Sequence, residues 1–313
     1  LSGPLHGALA GRRVLLTGAG GFTGPYVRQR LESAGATVTG LLRPGEAGAV
    51  RDISCEITDA TALRGAVAEA RPDHVIHLAA ISFVPFADTG ALMEINVQGT
   101  RNLLEACAAL PQAPRKIVLA SSANVYGNAP VSPIREDAPL APASDYAASK
   151  AEVERLAAEW GARLPILRVR PFNYTGVGQD EKFLVPKLVA AFRRRDAELS
   201  MGRTDVVRDF SDVRWVAEAY ARLLASPHHS EVFNLCSGTG ISVDAILATL
   251  AQLAGHAPRI LADQRFMRAN EIHVLVGSPE RLQAAVGPLP PVPIHETLAW
   301  MYHASPAQTH PDA

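Results

Sequence analysis

VLLTGAGGFTGP, Val14 to Pro25, packs a strand, a glycine turn and a helix start into one short stretch. Val14 to Thr17 is apolar and short enough for a buried strand. GAGGFTG, Gly18 to Gly24, is the turn, and a helix is expected from Pro25 to Ala34 with Gly35 as its stop. Pro25 suits a first helical turn, where its missing N–H costs nothing. The glycines give GxxGxxG rather than GxGxxG, but the physical work is the same. Gly18 allows a tight turn, Gly21 lets backbone N–H groups approach a pyrophosphate, and Gly24 lets helix pack closely on strand. Phe22 and Thr23 lie in the same loop, and the helix N-terminus adds partial positive charge for the phosphates.

The chain that follows alternates strand and helix patterns. Strands are expected over Thr37–Leu42, Ile53–Ile57, His74–Ala80, Lys116–Ala120 and Pro165–Arg170. Helices are expected over Ala62–Ala70, capped by Thr58 or Asp59, and over Leu92–Leu110 and Tyr146–Arg163. This is the pattern of an α/β fold, a Rossmann-type doubly wound parallel sheet. Gly18, Ala79, Ser122 and Pro171 all fall just past strand ends, so they should converge on one cleft.

The second strand ends in GLLRPG, with Arg43 and no acid. An acid there would bind a ribose 2′-hydroxyl, whereas an arginine pairs with a 2′-phosphate. NADP(H) is therefore favoured, with NAD(H) possible.

Beyond Arg170 the pattern loosens. A helix over Lys187–Arg195, a strand and helix in RDFSDVRWVAEAY, a strand in VFNLCSG, a Ser242-capped helix to about Leu253 and a last helix in ETLAWMY are expected. Residues 11–170 and 205–237 would form the dinucleotide-binding domain, 171–204 and 238–303 a smaller C-terminal substrate lobe, and 304–313 a disordered tail. Arg193, Arg194 and Arg195 read as a solvated helix end beside the C-terminal dipole.

Composition narrows the functional classes. The chain has 313 residues, 48% apolar and 19% charged, as in ordinary globular proteins, with formal net charge -1. That balance gives no bulk electrostatic case for nucleic acid or an anionic membrane. Cys55, Cys107 and Cys236 are far apart and form no metal-type spacing, so no metal is expected. No apolar stretch approaches the ~20 residues of a membrane helix. The opening LSGPLHGALAGRR lacks the apolar core of a signal peptide, so a cytoplasmic location is expected.

YAASK, Tyr146 to Lys150, puts a tyrosine and a lysine on one helix face. An ammonium near a phenol favours the phenolate, and a drop in tyrosine pKa from ~10 to ~7 corresponds to roughly 4 kcal/mol. Such a tyrosine exchanges a proton with an alcohol or ketone near neutral pH. Taken alone, such a pair is more often a surface pair on an amphipathic helix.

GxxGxxG, HLAA, NVQGT, SSANVYG and YAASK, in this order, resemble the extended short-chain dehydrogenase/reductase family of nucleotide-sugar enzymes, over roughly Val14 to Tyr302. RPFNYTGVGQ, RDFSDV, NLCSG and MRANEIHVLVGSPERL resemble its branch acting on GDP-sugars. The resemblance implies a catalytic set of Ser122, Tyr146 and Lys150. It implies a cofactor site of Gly18, Gly21, Phe22, Thr23, Gly24, Arg43, Glu56, Ile57, Leu78, Ala79 and Ala80, joined by Tyr146 and Lys150. It also implies substrate contacts from Ser82, Asn173, Arg208, Arg268 and Glu271. Glu56 departs from the shorter Asp that relatives use for the adenine amino group.

Dehydratases of this branch carry Asp-Glu directly after the active Ser/Thr, where this chain has Ala123 and Asn124. Neither exchanges a proton usefully near neutral pH, which points to hydride transfer without elimination. The implied reaction is NADPH-dependent reduction of GDP-4-keto-6-deoxy-D-mannose, with GDP-D-rhamnose as the expected product. The alternatives are a 4-epimerase with bound NAD, a GDP-mannose 4,6-dehydratase and a catalytically silent nucleotide-binding sensor. Apolar residues on more than one face of 92–110 and 146–163 (Leu103, Leu104 and Cys107; Leu156, Ala157 and Trp160), with the family's habit, imply a homodimer through a four-helix bundle.

Overall fold

The computed structural model describes residues 4–82, 88–264 and 272–305. Helix α1 (Pro4–Leu9) leads into β1 (Arg13–Thr17), α2 (Gly24–Ser33), β2 (Thr37–Leu42), β3 (Ile53–Ser54), α3 (Ala60–Ala70) and β4 (His74–His77). Next come α4 (Thr89–Leu92), a π-helical turn (Met93–Gln98), α5 (Gly99–Ala108) and β5 (Lys116–Ala120). A 3-10 turn (Ala123–Tyr126), α6 (Asp145–Trp160) and β6 (Ile166–Pro171) complete the first half. The second half runs β7 (Asn173–Thr175), α7 (Leu184–Arg194), β8 (Glu198–Met201), β9 (Val207–Asp212), α8 (Val213–Ala225) and β10 (Val232–Leu235). It ends with β11 (Gly240–Ser242), α9 (Val243–Ala254), β12 (Arg259–Ala262), β13 (Val274–Leu275), α10 (Glu280–Val286) and α11 (Ile294–His303).

Seven parallel strands form the central sheet in the order β10-β6-β5-β4-β1-β2-β3. Alternate strand residues go to opposite faces. Val14 and Leu16 face the core that holds Val27 and Leu31 of α2 and Val216 and Leu223 of α8. Leu15, Val75 and Ile117 face the core of α3, α5 and α6, with Leu63, Leu104 and Leu156. Both faces are covered, which is why the strands read as continuous apolar runs. The expected Rossmann-type sheet is thus present.

A third core, built from α7, α9, α11, β8 and β9, fills the smaller lobe. The expected division places 205–237 with the dinucleotide unit. Within that span α8 and β10 join the large sheet, whereas β9 pairs with β7, β11 and β13.

Two elements depart from their sequence pattern in ways that bear on the site. The strand expected over 53–57 closes at Ser54, because Glu56 turns its carboxylate onto the Ile57 N–H (3.0 Å) and Asp59 caps α3. The helix expected over 92–110 contains the π-helical turn, where Asn96 faces inward and bonds residues outside the helix. Leu103, Leu104, Cys107, Leu156 and Ala157, apolar positions that prompted the dimer expectation, are buried by their own chain's sheet. No helix among the described residues is long and apolar enough to cross a membrane.

His77 at the end of β4 is the hub of a directed hydrogen-bond chain. The Thr100 hydroxyl donates to the Asn96 carbonyl (2.6 Å), so its oxygen accepts from His77 Nε2 (2.9 Å). The Thr17 hydroxyl then donates to His77 Nδ1 (2.6 Å) and its oxygen accepts the Ala79 N–H (3.2 Å). Burial, with a smaller push from Lys150, holds the imidazole neutral with its pKa down to about 3. Between about pH 6.5 and that value the unfolded chain binds a proton that the folded chain refuses, so stability falls with pH across the window. Lowering pH from about 6.5 to about 5 should remove about 2 kcal/mol through this residue. Urea unfolding of wild type and His77→Gln across that range checks it, the variant losing this part of the slope.

Candidate active site

The glycine turn meets its backbone requirement at two points. Gly18 has φ +69°, and a Cβ there would stand 2.8 Å from the Ala79 nitrogen. At Gly24 a Cβ would stand 2.2 Å from the Ala19 carbonyl oxygen, so only glycine lets α2 start against the turn. Thr23 caps α2 by position but makes no side-chain capping bond. Among the described residues the Phe22 and Thr23 N–H groups have no acceptor, which leaves donors at a helix N-terminus for a phosphate. Leu78, Ala79 and Ala80 line the adjoining strand end, half-buried.

Across the sheet, Ser122 lies two residues past the end of β5, and Tyr146 and Lys150 lie on the first turns of α6. Ser144 caps that helix through the Ala147 N–H (3.2 Å). All three side chains are buried. Lys150 Nζ donates to the Ala120 carbonyl (2.9 Å), tying α6 to the strand end that carries Ser122. Burial drives the Tyr146 phenol up to about 12, with the Ser122 hydroxyl pulling the other way. Burial lowers Lys150 to about 8. The sequence expectation that Lys150 draws the tyrosine pKa down is therefore not met by this arrangement: the ammonium serves the Ala120 carbonyl, and burial dominates the phenol.

Asn124 enters the site in a way the sequence did not suggest. Its backbone N–H (3.2 Å) and its side-chain Nδ2 (3.1 Å) both donate to Ser122 Oγ. With its oxygen accepting twice, the serine hydroxyl has its proton available to donate toward Tyr146 or a substrate oxygen. Asn96 was legible only as part of a motif. It bonds the Ile81 N–H (2.8 Å) through Oδ1 and the Ser149 hydroxyl (3.0 Å) through Nδ2, while Ser149 donates to the Tyr146 carbonyl (2.8 Å). The chain after β4 is thereby held to the helix of Tyr146.

The remaining expected positions fall into groups. Arg43 sits past β2 but is bound to Glu46, its Nε at 2.8 Å and Nη2 at 2.6 Å from Oε1. The Glu46 carboxylate lies against the glycine turn: a Cβ on Gly20 would stand 2.8 Å from its Oε2. An acid is thus present near this end of the sheet, beyond the turn where strand reading looks for it. The carboxylate of Glu56 is engaged by the N–H of Ile57, while Asn102 holds the Ile57 carbonyl (3.1 Å).

Asn173 is exposed on β7 and Arg208 half-buried on β9, so both belong to the small sheet beside the cleft. Asp209, fully buried behind Arg208, accepts from Ser237 N (2.8 Å), Ser237 Oγ (2.7 Å) and Gly238 N (2.9 Å), locking β9 to the chain after β10. Ser82 is exposed at the edge of a described segment. Arg268 and Glu271 lie outside the described residues. Tyr174 joins the glycine turn to the second half: its ring stacks on Phe22 at 6.0 Å and its hydroxyl bonds Thr23 Oγ1 at 2.8 Å. No cluster of possible metal ligands occurs among the described residues.

Residues 14–236, from the glycine turn through Ser122 and the YAASK helix to β10, match the NAD dependent epimerase/dehydratase family. The chain belongs to that family. It is 32% identical to the GDP-6-deoxy-D-mannose reductase of Pseudomonas aeruginosa, over 92% of this chain and 95% of that protein. It is 30% identical to the GDP-6-deoxy-D-talose 4-dehydrogenase of Aggregatibacter actinomycetemcomitans, over 88% of this chain and 91% of the relative. Among solved structures, a candidate epimerase of Burkholderia cenocepacia J2315 is 44% identical with TM-score 0.88, covering 94% of this chain and 97% of its own. RMD of Pseudomonas aeruginosa, solved with NADPH, is 30% identical with TM-score 0.83, covering 96% and 100%. The UDP-glucose 4-epimerase of Thermus thermophilus, solved with NAD, is 30% identical with TM-score 0.82, covering 93% and 97%. Members of this family modify nucleotide sugars, and the fold is that of the extended short-chain dehydrogenases.

A buried ion pair backs the site. Arg170 at the end of β6 reaches Glu154 on α6 through Nε (2.8 Å) and Nη2 (2.7 Å), and the Ser121 hydroxyl donates to the same carboxylate (2.6 Å). Arg170 Nη1 also donates to the Tyr126 hydroxyl (2.8 Å), which closes the turn after Ser122. Glu154→Gln leaves the Arg170 charge buried without its counterion and should cost about 3 kcal/mol of stability. Replacing both by methionine should recover much of that loss. Urea midpoints of the single and double variants test this, and a single variant within about 0.5 kcal/mol of wild type would contradict it.

Proposed function

We propose that this chain uses NADPH to reduce the carbon-4 ketone of GDP-4-keto-6-deoxy-D-mannose, giving a GDP-6-deoxyhexose, with GDP-D-rhamnose as the product. The observation that carries the reading is the bonding around Ser122. Asn124 donates twice to its oxygen, so the serine proton is available for a substrate oxygen. Neither Ala123 nor Asn124 supplies the acid and base that elimination requires. The two curated relatives described above, each named for a GDP-6-deoxyhexose, support the substrate class.

The chain's groups fit a nicotinamide dinucleotide. The acceptor-free N–H groups of Phe22 and Thr23, beside Gly18, Gly21 and Gly24, suit its pyrophosphate. Leu78, Ala79 and Ala80 suit an apolar wall, and Lys150 suits the nicotinamide ribose. Bound there, the dinucleotide supplies the hydride. Ser122 hydrogen-bonds the ketone oxygen, and Tyr146 transfers its proton to that oxygen as it becomes an alkoxide. A phenol held near pKa 12 by burial is protonated at neutral pH, as a proton donor must be. Asn173 and Arg208 are the described groups suited to the substrate diphosphate. A homodimer through α5 and α6 belongs to this reading on the family resemblance.

A 4-epimerase with retained NAD is the second reading, favoured by the carboxylate of Glu46 beside the glycine turn. Incubation with GDP-4-keto-6-deoxymannose and NADPH, followed by mass spectrometry and NMR of the product, separates the two. NADPH consumption and a GDP-6-deoxyhexose are expected. Redox-neutral conversion of a UDP-sugar would sink the reductase, and tight cofactor binding without turnover of any nucleotide sugar would leave a sensor.

Cofactor choice has its own test. Arg43 must exchange Glu46 for a 2′-phosphate, so Arg43→Ala should raise the KM for NADPH about tenfold or more while sparing NADH. Glu46→Gln should lower the NADPH value. Equal effects of Arg43→Ala on both cofactors would remove the NADPH preference.

A further inference from the structure

At the end of the sheet opposite the glycine turn, a cavity of about 170 Å³ opens between the starts of three parallel strands and the end of α8. Arg12 precedes β1, His74 begins β4, and Arg115 precedes β5. Lys116, Ser226 and the exposed His229 complete its polar lining. A strand of five residues separates it from the active cleft, roughly 16 Å at about 3.3 Å per residue.

The charges around this cavity are unequally used. Lys116 Nζ is spent on the end of α8, donating to the carbonyls of Leu223 (3.0 Å) and Ser226. A nearby carboxylate, Asp73, is engaged by the backbone N–H of Arg13 (2.9 Å) and by its guanidinium (3.2 Å), and it attracts Arg12 only through space. Arg12 and Arg115, by contrast, have no side-chain hydrogen bond or ion pair among the described residues. His74 is 8% exposed, and its Nδ1 is buried without a hydrogen-bond partner among them. That atom is closed to solvent, so only the other ring nitrogen, Nε2, which also has no hydrogen bond among the described residues, can serve a ligand in the cavity beside the two unpaired guanidiniums. The two guanidiniums are cations that only donate, and a neutral imidazole can donate from one ring nitrogen, a set that suits an anion.

We propose that this cavity is a binding site for a small tetrahedral oxyanion of the phosphate class, held by Arg12, Arg115 and the His74 imidazole. Two guanidiniums present forked N–H donors suited to phosphate oxygens. A neutral imidazole donates from one ring nitrogen, and a bound dianion would favour its protonation. Without an anion, burial and the charges of Lys116, Arg12 and Arg115 press the His74 pKa down to about 4, against the pull of Asp73. A ligand here bridges the entries of β1, β4 and β5 and the end of α8, so it stabilises the folded chain by mass action.

The test is calorimetric titration of the full chain with inorganic phosphate at ionic strength matched with chloride. One saturable site is expected, with a dissociation constant at or below about 1 mM. Arg115→Gln, at an exposed and unpaired position, should weaken it about tenfold or more while leaving dinucleotide binding and turnover unchanged. Arg12→Gln should do the same. Nitrogen-15 NMR of the histidines should show the His74 signals moving with phosphate, a response that His74→Phe abolishes. Glycerol phosphate as a second titrant identifies the source: equal affinity assigns a phosphoryl head group on a larger molecule, and much weaker affinity assigns free phosphate. Absence of saturable binding, or wild-type affinity in both arginine variants, overturns the proposal, and neither result bears on the reductase reading.

Discussion

Helix α6 can serve a catalytic cleft only if its position against the sheet is fixed, and the buried Arg170–Glu154 pair fixes it. Both side chains are about 95% buried, so each charge depends on the other. Glu154 stands four residues after Lys150, one turn along the same helix. Through Ser121 and Tyr126 the pair also holds the two ends of the segment that presents Ser122. Tyr126 continues to Asn234 on β10 (2.7 Å), whose N–H is held by Glu136 (2.8 Å). Five chain segments thus converge on one polar core behind the cleft. Its cost in desolvation is offset only while every member stays paired.

The same logic shapes the front of the site. Lys150 is bound to the last carbonyl of β5, Asn96 and Ser149 hold the chain after β4 to the Tyr146 backbone, and Asn124 orients Ser122. Burial sets the ionisation of what is held, leaving a phenol that keeps its proton and a lysine whose ammonium is close to titrating at neutral pH. Such an arrangement is suited to giving up one proton as charge develops on a substrate oxygen. Asn124 is instructive because its amide offers no acid or base near neutral pH while its N–H groups hold the Ser122 oxygen.

Much of this was legible in the residues. The turn over 18–24, the alternation of apolar strands with helices, and the serine after β5 led to the sheet and to one cleft at its strand ends, because those signals are local and periodic. The π-helical turn was hidden because it arises from Asn96 bonding Ile81 and Ser149, partners 15 and 53 residues away. The short third strand was hidden because the folded-back carboxylate of Glu56 replaces the ladder. Arg43 was visible as a charge, but its capture by Glu46 depends on the path of the chain after β2, which no strand pattern encodes.

By itself the sequence determined the alternation of strands and helices in the first half of the chain and the glycine turn that ends its first strand. Glycine spacing, apolar period and the four-residue interval from Tyr146 to Lys150 act over a few residues, and local backbone geometry is enough to read them. Only the tertiary structure decided how each polar side chain is spent: Lys150 on Ala120, Arg43 on Glu46, Lys116 on the end of α8, and Arg12 and Arg115 in no hydrogen bond or ion pair among the described residues. Hydrogen-bond partners and burial are set by segments distant in sequence. The charge a side chain keeps, and hence its chemistry, therefore exists only once the chain has folded around it.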